Sequence, residues 1–421
     1  MNTTSKGMLA RLSTMMFLEF FIWGCWFTSI AVYMTQEGMG TLTHWPYTVN
    51  PIAAILAPFI LGLIADRFFP TEKVLAFLHI VGGLILFIVP QTSGTPLLFI
   101  VLMLAYNLCY MPTLGLANAL AFHHLQDQEK QFPVVRVFGT VGWIVAGLFI
   151  SFGLSYLIGS MAEKTAIPIY SAAVCSLILG FYSFTLPHTP PRAKGEAVSF
   201  RTLAGLDALK YLGSKSFYAF VLCSFLISIP LAAYYNYTQL YLENSGIQQI
   251  AGIQILGQAS EVIFMLLIPL FFIRYGVKWM LGVGMLAWVV RYVLFAMAAP
   301  TGVYWMVILG IVLHGICYDF FFVTGQMYVE QKSNAKIRGQ AQGFIILVTY
   351  GFGFLFGAQI AGRVYLSFLK DADRLTVDQW QYFWFIPAIF ALLVFLFFIM
   401  VFKDTSKSVA RQKSVSLDTE E

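Results

Sequence analysis

The chain consists largely of long apolar runs, each about twenty residues in length, that are separated by short turns rich in Gly, Pro, Asn and Ser. A helix that crosses a bilayer needs about 20 mostly apolar residues. Runs of this kind lie near 11–33, 46–65, 74–92, 96–122, 133–158, 166–186, 216–242, 249–273, 277–298, 302–329, 338–366 and 380–402. The pattern predicts an all-α membrane protein with twelve transmembrane helices.

The amino-acid composition indicates that much of the protein surface is in contact with a lipid bilayer. Hydrophobic residues make up 59% of the chain and charged residues 11%, whereas average soluble domains are about 25% charged. A soluble fold of this length could not bury so much apolar surface. Five cysteines lie in apolar runs, and none belongs to a C-x-x-C motif.

One long polar connection divides the predicted helices into two groups of six. It covers 187–215, between an N-terminal half at 1–186 and a C-terminal half at 216–403. The polar tail at 404–421 is expected to be disordered and cytoplasmic. This layout is typical of the major facilitator fold.

The distribution of Lys and Arg predicts the orientation. If both termini are cytoplasmic, nineteen of the 25 Lys and Arg residues lie on that side and three, Lys164, Lys370 and Arg374, lie outside. Cytoplasmic loops are enriched in positive charge, so we expect a multi-pass protein with both termini inside. This bias also explains the net charge of +5, and no nucleic-acid partner is expected.

A short motif follows the second predicted span. Gly62 begins a G-x-x-x-D-R sequence that ends in Asp66 and Arg67, and Lys73 follows. This sequence resembles the loop of the major facilitator superfamily, which predicts a conformational latch made by Asp66, Arg67 and Lys73. A plain polar turn that obeys the charge bias is the alternative.

Ionisable side chains within spans are costly, and they usually mark a solute or proton pathway. In the eighth span, Gln258 and Glu261 share one helix face, and Glu261 is a candidate for binding a substrate hydroxyl or exchanging a proton. In the tenth span, His314, Tyr318 and Asp319 form a candidate proton relay, because histidine changes charge near physiological pH. An interhelical hydrogen bond for Glu261 and a buried neutral His314 are the structural alternatives.

The first half contains a second candidate set. Arg136, Thr140 and Trp143 repeat at helical spacing in the fifth span. Trp143 offers a stacking face to a planar ligand, although Arg136 lies close enough to the cytoplasmic end to extend to the interface. Glu19 lies in the middle of the first span, where a coupling role and a structural role are equally open.

The order of several sequence blocks resembles the nucleoside:proton symporter family of the major facilitator superfamily. The resemblance covers nearly the whole chain. Its blocks are Phe21-Ile-Trp-Gly-Cys-Trp26, Tyr110-Met-Pro-Thr-Leu-Gly-Leu-Ala-Asn118, Arg136-Val-Phe-Gly-Thr-Val-Gly142, Thr202-Leu-Ala-Gly-Leu-Asp-Ala208, Gln258-Ala-Ser-Glu261, Ile268-Pro-Leu-Phe-Phe-Ile-Arg-Tyr-Gly276, Tyr318-Asp-Phe-Phe321 and Ile337-Arg-Gly-Gln-Ala-Gln-Gly343.

The resemblance implies which residues contact a nucleoside. The positions that match those implicated in binding or coupling are Arg136, Thr140, Gln258, Glu261 and Asp319. Trp143 or Tyr318 would stack on the base. The chain departs from the family where members have an amide pair in the seventh span, since it has Ala232 and Tyr235 there, and it has His314 where they have Tyr. These departures favour a modified or different nucleoside as substrate.

The sequence therefore predicts a monomeric, proton-coupled nucleoside importer with no cofactor and no metal. Candidates for the coupling proton are Glu19, Glu261, His314 and Asp319. Purine or pyrimidine preference is left open. A facilitator or exporter of another polar solute, such as a sugar, is the alternative within transport. An enzyme or membrane sensor is disfavoured, because the sequence has no Walker A loop, no catalytic nucleophile set and no metal-ligand grouping.

Overall fold

The computed structural model describes residues 3–60, 68–191, 205, 211–334, 337–369, 372 and 374–403. Within these ranges the regular elements are all helices, and there is no strand. This agrees with the all-α prediction. Asp66 and Arg67 of the predicted latch lie outside the described residues, as do most of the connection 187–215 and the tail from residue 404. Lys73 lies exposed near the start of a helix.

The helices of the first half of the sequence follow the predicted spans closely. They are α1 (Thr3–Phe27), α2 (Ile30–Gln36), α3 (Trp45–Ile60), α4 (Thr71–Ile88), α5 (Pro96–His124), α6 (Gln128–Leu148) and α7 (Ile167–Ser183). A π-helical segment, Phe149–Leu154, extends α6.

The helices of the second half include several interrupted ones. They are α8 (Lys215–Asn244), α9 (Ile250–Thr301), α10 (Tyr304–Val312), α11 (His314–Tyr318), α12 (Thr324–Lys332), α13 (Arg338–Ile346), α14 (Phe354–Leu369) and α15 (Val377–Val401). π-Helical segments at Asp319–Val323 and Leu347–Gly353 join α11 to α12 and α13 to α14.

Two predicted spans, 249–273 and 277–298, fall within α9. Gly276 breaks this long element with φ 75° and ψ 176°, a conformation that glycine adopts without the steric cost of a Cβ atom. The sequence therefore separated the two segments correctly. Among the described residues, nine helical segments are long and apolar enough to cross a membrane, and α7 is apolar but has only 17 residues.

Internal contacts divide the described chain into two units. Unit 1 contains the described residues of 1–203, 231–255 and 350–376. Unit 2 contains those of 204–230, 256–349 and 377–421. Pro230, inside α8, marks one of the boundaries.

Close approach of α1 and α6 organises unit 1. A Cβ atom on Gly142 would lie 2.2 Å from the backbone oxygen of Phe17, and one on Gly24 would lie 3.0 Å from the Cβ of Ala146. Small residues allow helices in a membrane to pack closely. The glycines therefore bring α1 against the face of α6 that carries Trp143. Helices α5 and α7 also pack on α1, and α4 packs on α5 and α7.

Helices α9 and α11 in unit 2 also pack closely at a glycine. A Cβ atom on Gly315 would lie 2.5 Å from the backbone of Ser260. The hydroxyl of Ser260 accepts a hydrogen bond of 2.8 Å from the Gly315 amide. This contact brings Glu261, the residue after Ser260, beside His314, the residue before Gly315.

Candidate functional site

The residues that the sequence selected for binding or coupling fall into both units. Those in unit 1 are Glu19, Arg136, Thr140, Trp143 and Tyr235. Those in unit 2 are Gln258, Glu261, His314, Tyr318 and Asp319. The geometry of each set is described separately.

Unit 1 contains an aromatic cluster, which we define as Trp23, Phe27, Tyr110, Trp143, Tyr235 and Tyr350. The Trp143 ring lies edge-on to Trp23, with centroids 5.4 Å apart, and 5.7 Å from Phe27. Tyr235 lies 5.6 Å from Phe27. Trp23 also contacts Tyr110 at 5.9 Å and Tyr350 at 6.2 Å. Five segments that are distant in sequence thus place polarisable rings together, and Trp143 and Tyr235 belong to the same group.

Arg136 and Thr140 lie on α6 before Trp143. The Arg136 guanidinium carbon lies 4.4 Å above the centre of the Phe20 ring, a cation–π arrangement. Its side chain is exposed, whereas Thr140 and Trp143 are half-buried. The successive turns of α6 thus present a cation, a hydroxyl and an aromatic face.

Glu19 is completely buried and contacts a side chain that the sequence reasoning did not select. Its Oε2 lies 2.9 Å from Nε2 of His79 on α4. Its Oε1 accepts a hydrogen bond of 2.5 Å from the Thr113 hydroxyl on α5. His79 Nδ1 in turn lies 3.3 Å from the Ser176 hydroxyl on α7. The sequence signal was available, because His79 lies within a predicted span, where the rule that selected Glu19 also applies.

A second group of polar side chains in unit 1 was also missed. Gln239 of α8 accepts a hydrogen bond of 2.9 Å from the Ala31 amide, and its amide nitrogen donates to the Tyr47 hydroxyl. Asn50 donates to Asn107 at 2.7 Å, and Asn50 accepts from the Tyr350 hydroxyl. These bonds connect α8 and the segment around Tyr350 with helices from the first half of the sequence. They surround the aromatic cluster with satisfied polar groups.

In unit 2, Glu261 and His314 form a contact. His314 Nε2 lies 2.8 Å from Glu261 Oε1. The imidazole is completely buried, whereas 18% of the Glu261 side chain is exposed. The sequence placed both residues among the proton-coupling candidates but did not pair them. The partial exposure of Glu261 and the full burial of His314 place this contact at the edge of the packed interior of unit 2.

Asp319 and Tyr318 lie where α11 passes into a π-helical segment. Asp319 is buried, and neither of its carboxylate oxygens has a hydrogen-bond partner among the described residues. The ring of Tyr318 is half-buried and lies 5.8 Å from that of His314. π-Helical turns often occur at functional sites. The structure brings the rings of His314 and Tyr318 together, and Asp319 follows Tyr318 directly in the chain.

Gln258 lies one turn before Glu261 on α9 and is half-buried. Its side-chain oxygen is shielded from solvent and has no hydrogen-bond partner in the part of the chain that the structure describes. An amide acceptor near a carboxylate suits a ligand with hydroxyl or amino donors. This arrangement agrees with the predicted polar face of α9.

Arg291 was not among the sequence candidates, although it is one of the largest fully buried side chains. Its Nε donates a hydrogen bond of 2.8 Å to the Gly310 carbonyl, and its guanidinium carbon lies 5.1 Å from the centre of the Trp288 ring. Trp288 also contacts the His314 ring edge-on at 6.4 Å. Arg291 therefore supplies a fixed positive charge on the buried side of His314.

The described residues contain no group of three His, Cys, Asp or Glu side chains that could hold a metal ion. Two of the carboxylates that the sequence selected contact a histidine, Glu19 with His79 and Glu261 with His314. Carboxylate–imidazole pairs are suited to binding and releasing protons.

Comparisons with known proteins identify the family. The family model for the nucleoside H+ symporter matches residues 6–407. The putative nucleoside transporter YegT of Escherichia coli (strain K12) is 38% identical over 96% of this chain and 96% of its own length. The nucleoside permease NupG of the same organism is 31% identical over 93% of this chain and 95% of its own length.

A solved structure also supports membership of this family. The crystal structure of the nucleoside transporter NupG matches with a TM-score of 0.83 and 30% identity, over 94% of this chain and 100% of that one. These relatives are named as transporters or permeases and not as enzymes. The protein described here is therefore an integral membrane protein that belongs to the nucleoside H+ symporter family.

Proposed function

We propose that this protein imports a nucleoside together with a proton by alternating access. The family to which it belongs supports both the solute class and the coupling. The observation that carries the proposal at residue level is the contact between Glu261 and His314 at 2.8 Å. A carboxylate at this depth requires a partner or a proton, and His314 is one partner that can exchange a proton with it.

In this proposal the ribose is bound by polar groups of unit 2. Glu261 and Gln258 lie one turn apart on α9 and offer acceptors to hydroxyl groups. The candidate sites for the exchanged proton are the buried carboxyl of Asp319 and the side chains of Glu261, His314 and Glu19. A site built to hydrogen-bond substrate hydroxyls rejects analogues that lack them, because its buried polar groups then lose their partners.

The base is bound by an aromatic face. Trp143, in the aromatic cluster of unit 1, and Tyr318, in unit 2, are the two candidates for stacking. Stacking of a nucleobase on an aromatic side chain tolerates different bases, since every base has a π-face. Arg136 and Thr140 supply polar contacts before Trp143 on α6.

Base selectivity depends on the positions where the chain departs from the family pattern. Ala232 is buried on α8 and offers no hydrogen bond from its side chain. Tyr235, one turn later, packs against Phe27. An amide pair is therefore absent from these two positions, which favours a base recognised by stacking and a hydroxyl group over one recognised by paired amides.

The architecture that we propose is the major facilitator arrangement of twelve helices in two six-helix halves. A monomer would suffice for transport, since each chain contains both halves. The distribution of Lys and Arg favours an orientation with both termini in the cytoplasm, and the similarity to bacterial transporters favours a bacterial inner membrane. Inward movement of one proton charge across 100 mV releases about 2.3 kcal/mol, which drives accumulation of the nucleoside.

Uptake of radiolabelled uridine and adenosine into proteoliposomes, with and without an inward proton gradient, tests the proposal. We expect accumulation above the external concentration that a protonophore abolishes. Asp319→Asn should abolish accumulation, whereas Asp378→Asn, at an exposed carboxylate near the start of α15, should not. If the internal and external nucleoside concentrations become equal regardless of the proton gradient, the protein is a nucleoside facilitator. Inhibition by unlabelled sugars without uptake of either nucleoside would indicate another polar solute.

A further inference from the structure

We propose that Glu19 and His79 form a proton-binding pair in unit 1 and that this pair carries the coupling proton. This inference rests on the proposed function, and it adds His79 and Thr113 to the transport machinery. It starts from the burial of both groups, since 0% of the Glu19 side chain and 1% of that of His79 are exposed. Burying two ionisable groups is costly unless they are paired and hydrogen-bonded. A simple helix–helix contact would be made at lower cost by apolar side chains.

The hydroxyl of Thr113 allows the pair to hold different numbers of protons. Its oxygen lies 2.5 Å from Glu19 Oε1 and 2.6 Å from the Tyr110 carbonyl oxygen. A hydroxyl has one hydrogen to donate and can also accept. When Glu19 is ionised, Thr113 donates to the carboxylate. When Oε1 carries a proton, Glu19 donates to Thr113, and Thr113 donates to the Tyr110 carbonyl.

The Ser176 hydroxyl interacts with His79 in a way that resembles the interaction of Thr113 with Glu19. Its oxygen lies 3.3 Å from His79 Nδ1 and 2.9 Å from the His79 carbonyl oxygen, to which it donates. The Ser176 oxygen therefore accepts a hydrogen bond from a protonated Nδ1, while Nε2 donates to Glu19. The same heavy-atom positions satisfy the pair with and without one additional proton. A static ion pair would not need these two adaptable hydroxyls.

The groups near the pair include a permanent cation. Among the described residues, the titratable or charged groups around Tyr106 and Tyr110, which lie beside the pair, are Cys25, Cys109, Tyr350 and Arg136, and Cys175 lies near Cys25. Of these, Arg136 is the group that is charged at neutral pH. It lies on the Phe20 side of α1. Gain or loss of a proton by the pair therefore changes the local charge substantially.

Tyr110 connects the pair to the aromatic cluster. Its hydroxyl donates a hydrogen bond of 2.7 Å to the Glu19 backbone oxygen, and its ring lies 6.2 Å from His79 and 5.9 Å from Trp23. Trp23 lies one turn after Glu19 on α1. A change in the hydrogen bonds of Glu19 thus reaches the rings at which the base is proposed to stack. This contact provides a physical route between proton binding and nucleoside binding.

Two transport assays on Glu19→Gln and His79→Asn proteoliposomes test the role in coupling. We expect nucleoside counterflow without a proton gradient to remain measurable but to lose its dependence on pH, because exchange needs no net proton movement. Gradient-driven accumulation, which 100 mV can raise to about 50-fold for one charge, should fall to equilibration. Glu163→Gln is the matched control, since Glu163 is equally buried and hydrogen-bonded to Ser151 at 2.5 Å. It should retain accumulation.

Infrared pH-difference spectra of the same samples give a readout that needs no nucleoside. Wild type should show a protonated-carboxyl band that Glu19→Gln removes and Glu163→Gln leaves in place. Accumulation by Glu19→Gln at the wild-type level, or a spectrum that Glu19→Gln leaves unchanged, would overturn the inference. If wild type fails to transport nucleosides, the proposed function fails, and the infrared band alone decides whether the pair binds a proton.

Discussion

The Nε2 atom of His314 lies 2.8 Å from the Oε1 atom of Glu261, and the imidazole is completely buried while the carboxylate side chain is 18% exposed. This asymmetry gives the pair two faces. The buried face satisfies the carboxylate, and the Ser260–Gly315 hydrogen bond of 2.8 Å fixes the two helices that carry it. The geometry of the pair therefore depends on the packing of α9 against α11.

We expect Glu261→Gln to raise the KM for nucleoside uptake by about ten-fold or more, because hydrogen bonds to a charged group contribute about 1.5–3 kcal/mol. Glu261→Asp keeps the charge but withdraws it by one methylene, so its KM should be intermediate. KM measured across a range of pH in proteoliposomes provides the test. A KM for Glu261→Gln that equals wild type at every pH would show that Glu261 is a structural hydrogen-bonding residue.

Trp143 gives a prediction for the base. Stacking of a nucleobase on an aromatic ring contributes about 1–3 kcal/mol, so Trp143→Ala should weaken nucleoside binding at least five-fold. Trp143→Phe keeps a π-face and should lose less. Trp305→Ala, at a tryptophan that is 57% exposed, controls for loss of a membrane-facing indole. Equal affinities of Trp143→Ala and wild type in a direct binding assay would place the base elsewhere.

The sequence predicted the helices well because lipid imposes a simple rule on length and polarity. Even the boundary at Gly276 was visible as a break in the apolar pattern. It also selected Glu19, Glu261, His314 and Asp319, since an ionisable group in a span is rare. It did not predict which of these groups pair. Pairing depends on helix packing, and spacing along one helix carries no information about a partner on another.

The polar residues that were missed illustrate this limit. Asn50, Asn107 and Gln239 are uncharged, and in the sequence they resemble ordinary polar residues within spans. Their importance became visible through hydrogen bonds between helices that are distant in sequence. His79 is different, because it was ionisable and within a span. It belongs to no metal-ligand grouping in the sequence. A carboxylate on a neighbouring helix, as Glu19 is in the structure, was the more relevant criterion for selecting it.

Glu243 links two cations within unit 1. Its Oε1 lies 2.9 Å from Lys164 Nζ and 3.2 Å from an Arg374 nitrogen, and only 3% of its side chain is exposed. Glu243→Gln leaves two positive charges facing each other around a neutral amide. We expect it to lower the free energy of unfolding by about 1–3 kcal/mol, less than the loss for a fully buried pair because both cations are partly exposed. Thermal unfolding in detergent provides the measurement.

The control for Glu243 is an ion pair that remains accessible to water. Glu330 and Arg338 lie 2.7 Å apart, with 43% and 53% of their side chains exposed. Exposed pairs contribute about 0–1 kcal/mol, so Glu330→Gln should change the melting temperature little. The interpretation of Glu243 would be contradicted by equal shifts for the two variants, or by a Glu243→Gln protein as stable as wild type.

His44 predicts a dependence of stability on pH. It lies just before α3 and packs against Gly362, where an added Cβ atom would approach its ring within 2.6 Å. Burial, and secondarily the nearby Arg363, lowers the pKa of His44 from 6.5 to about 4. The unfolded chain therefore binds a proton at a higher pH than the folded protein does. The stability that neutral His44 contributes is complete above pH 6.5 and is lost as the pH falls towards 4.

The size of this loss follows from the separation of the two pKa values and is roughly 3 kcal/mol for the wild type. His44→Asn removes the titrating group, so its stability should depend less on pH between 6.5 and 4 than that of wild type. Melting curves of both proteins at several pH values in this interval measure the difference. His188→Asn is a suitable control, because His188 is 68% exposed and pairs with Glu72 at 2.9 Å. Parallel curves for wild type and His44→Asn would mean that His44 remains accessible to protons in the folded protein.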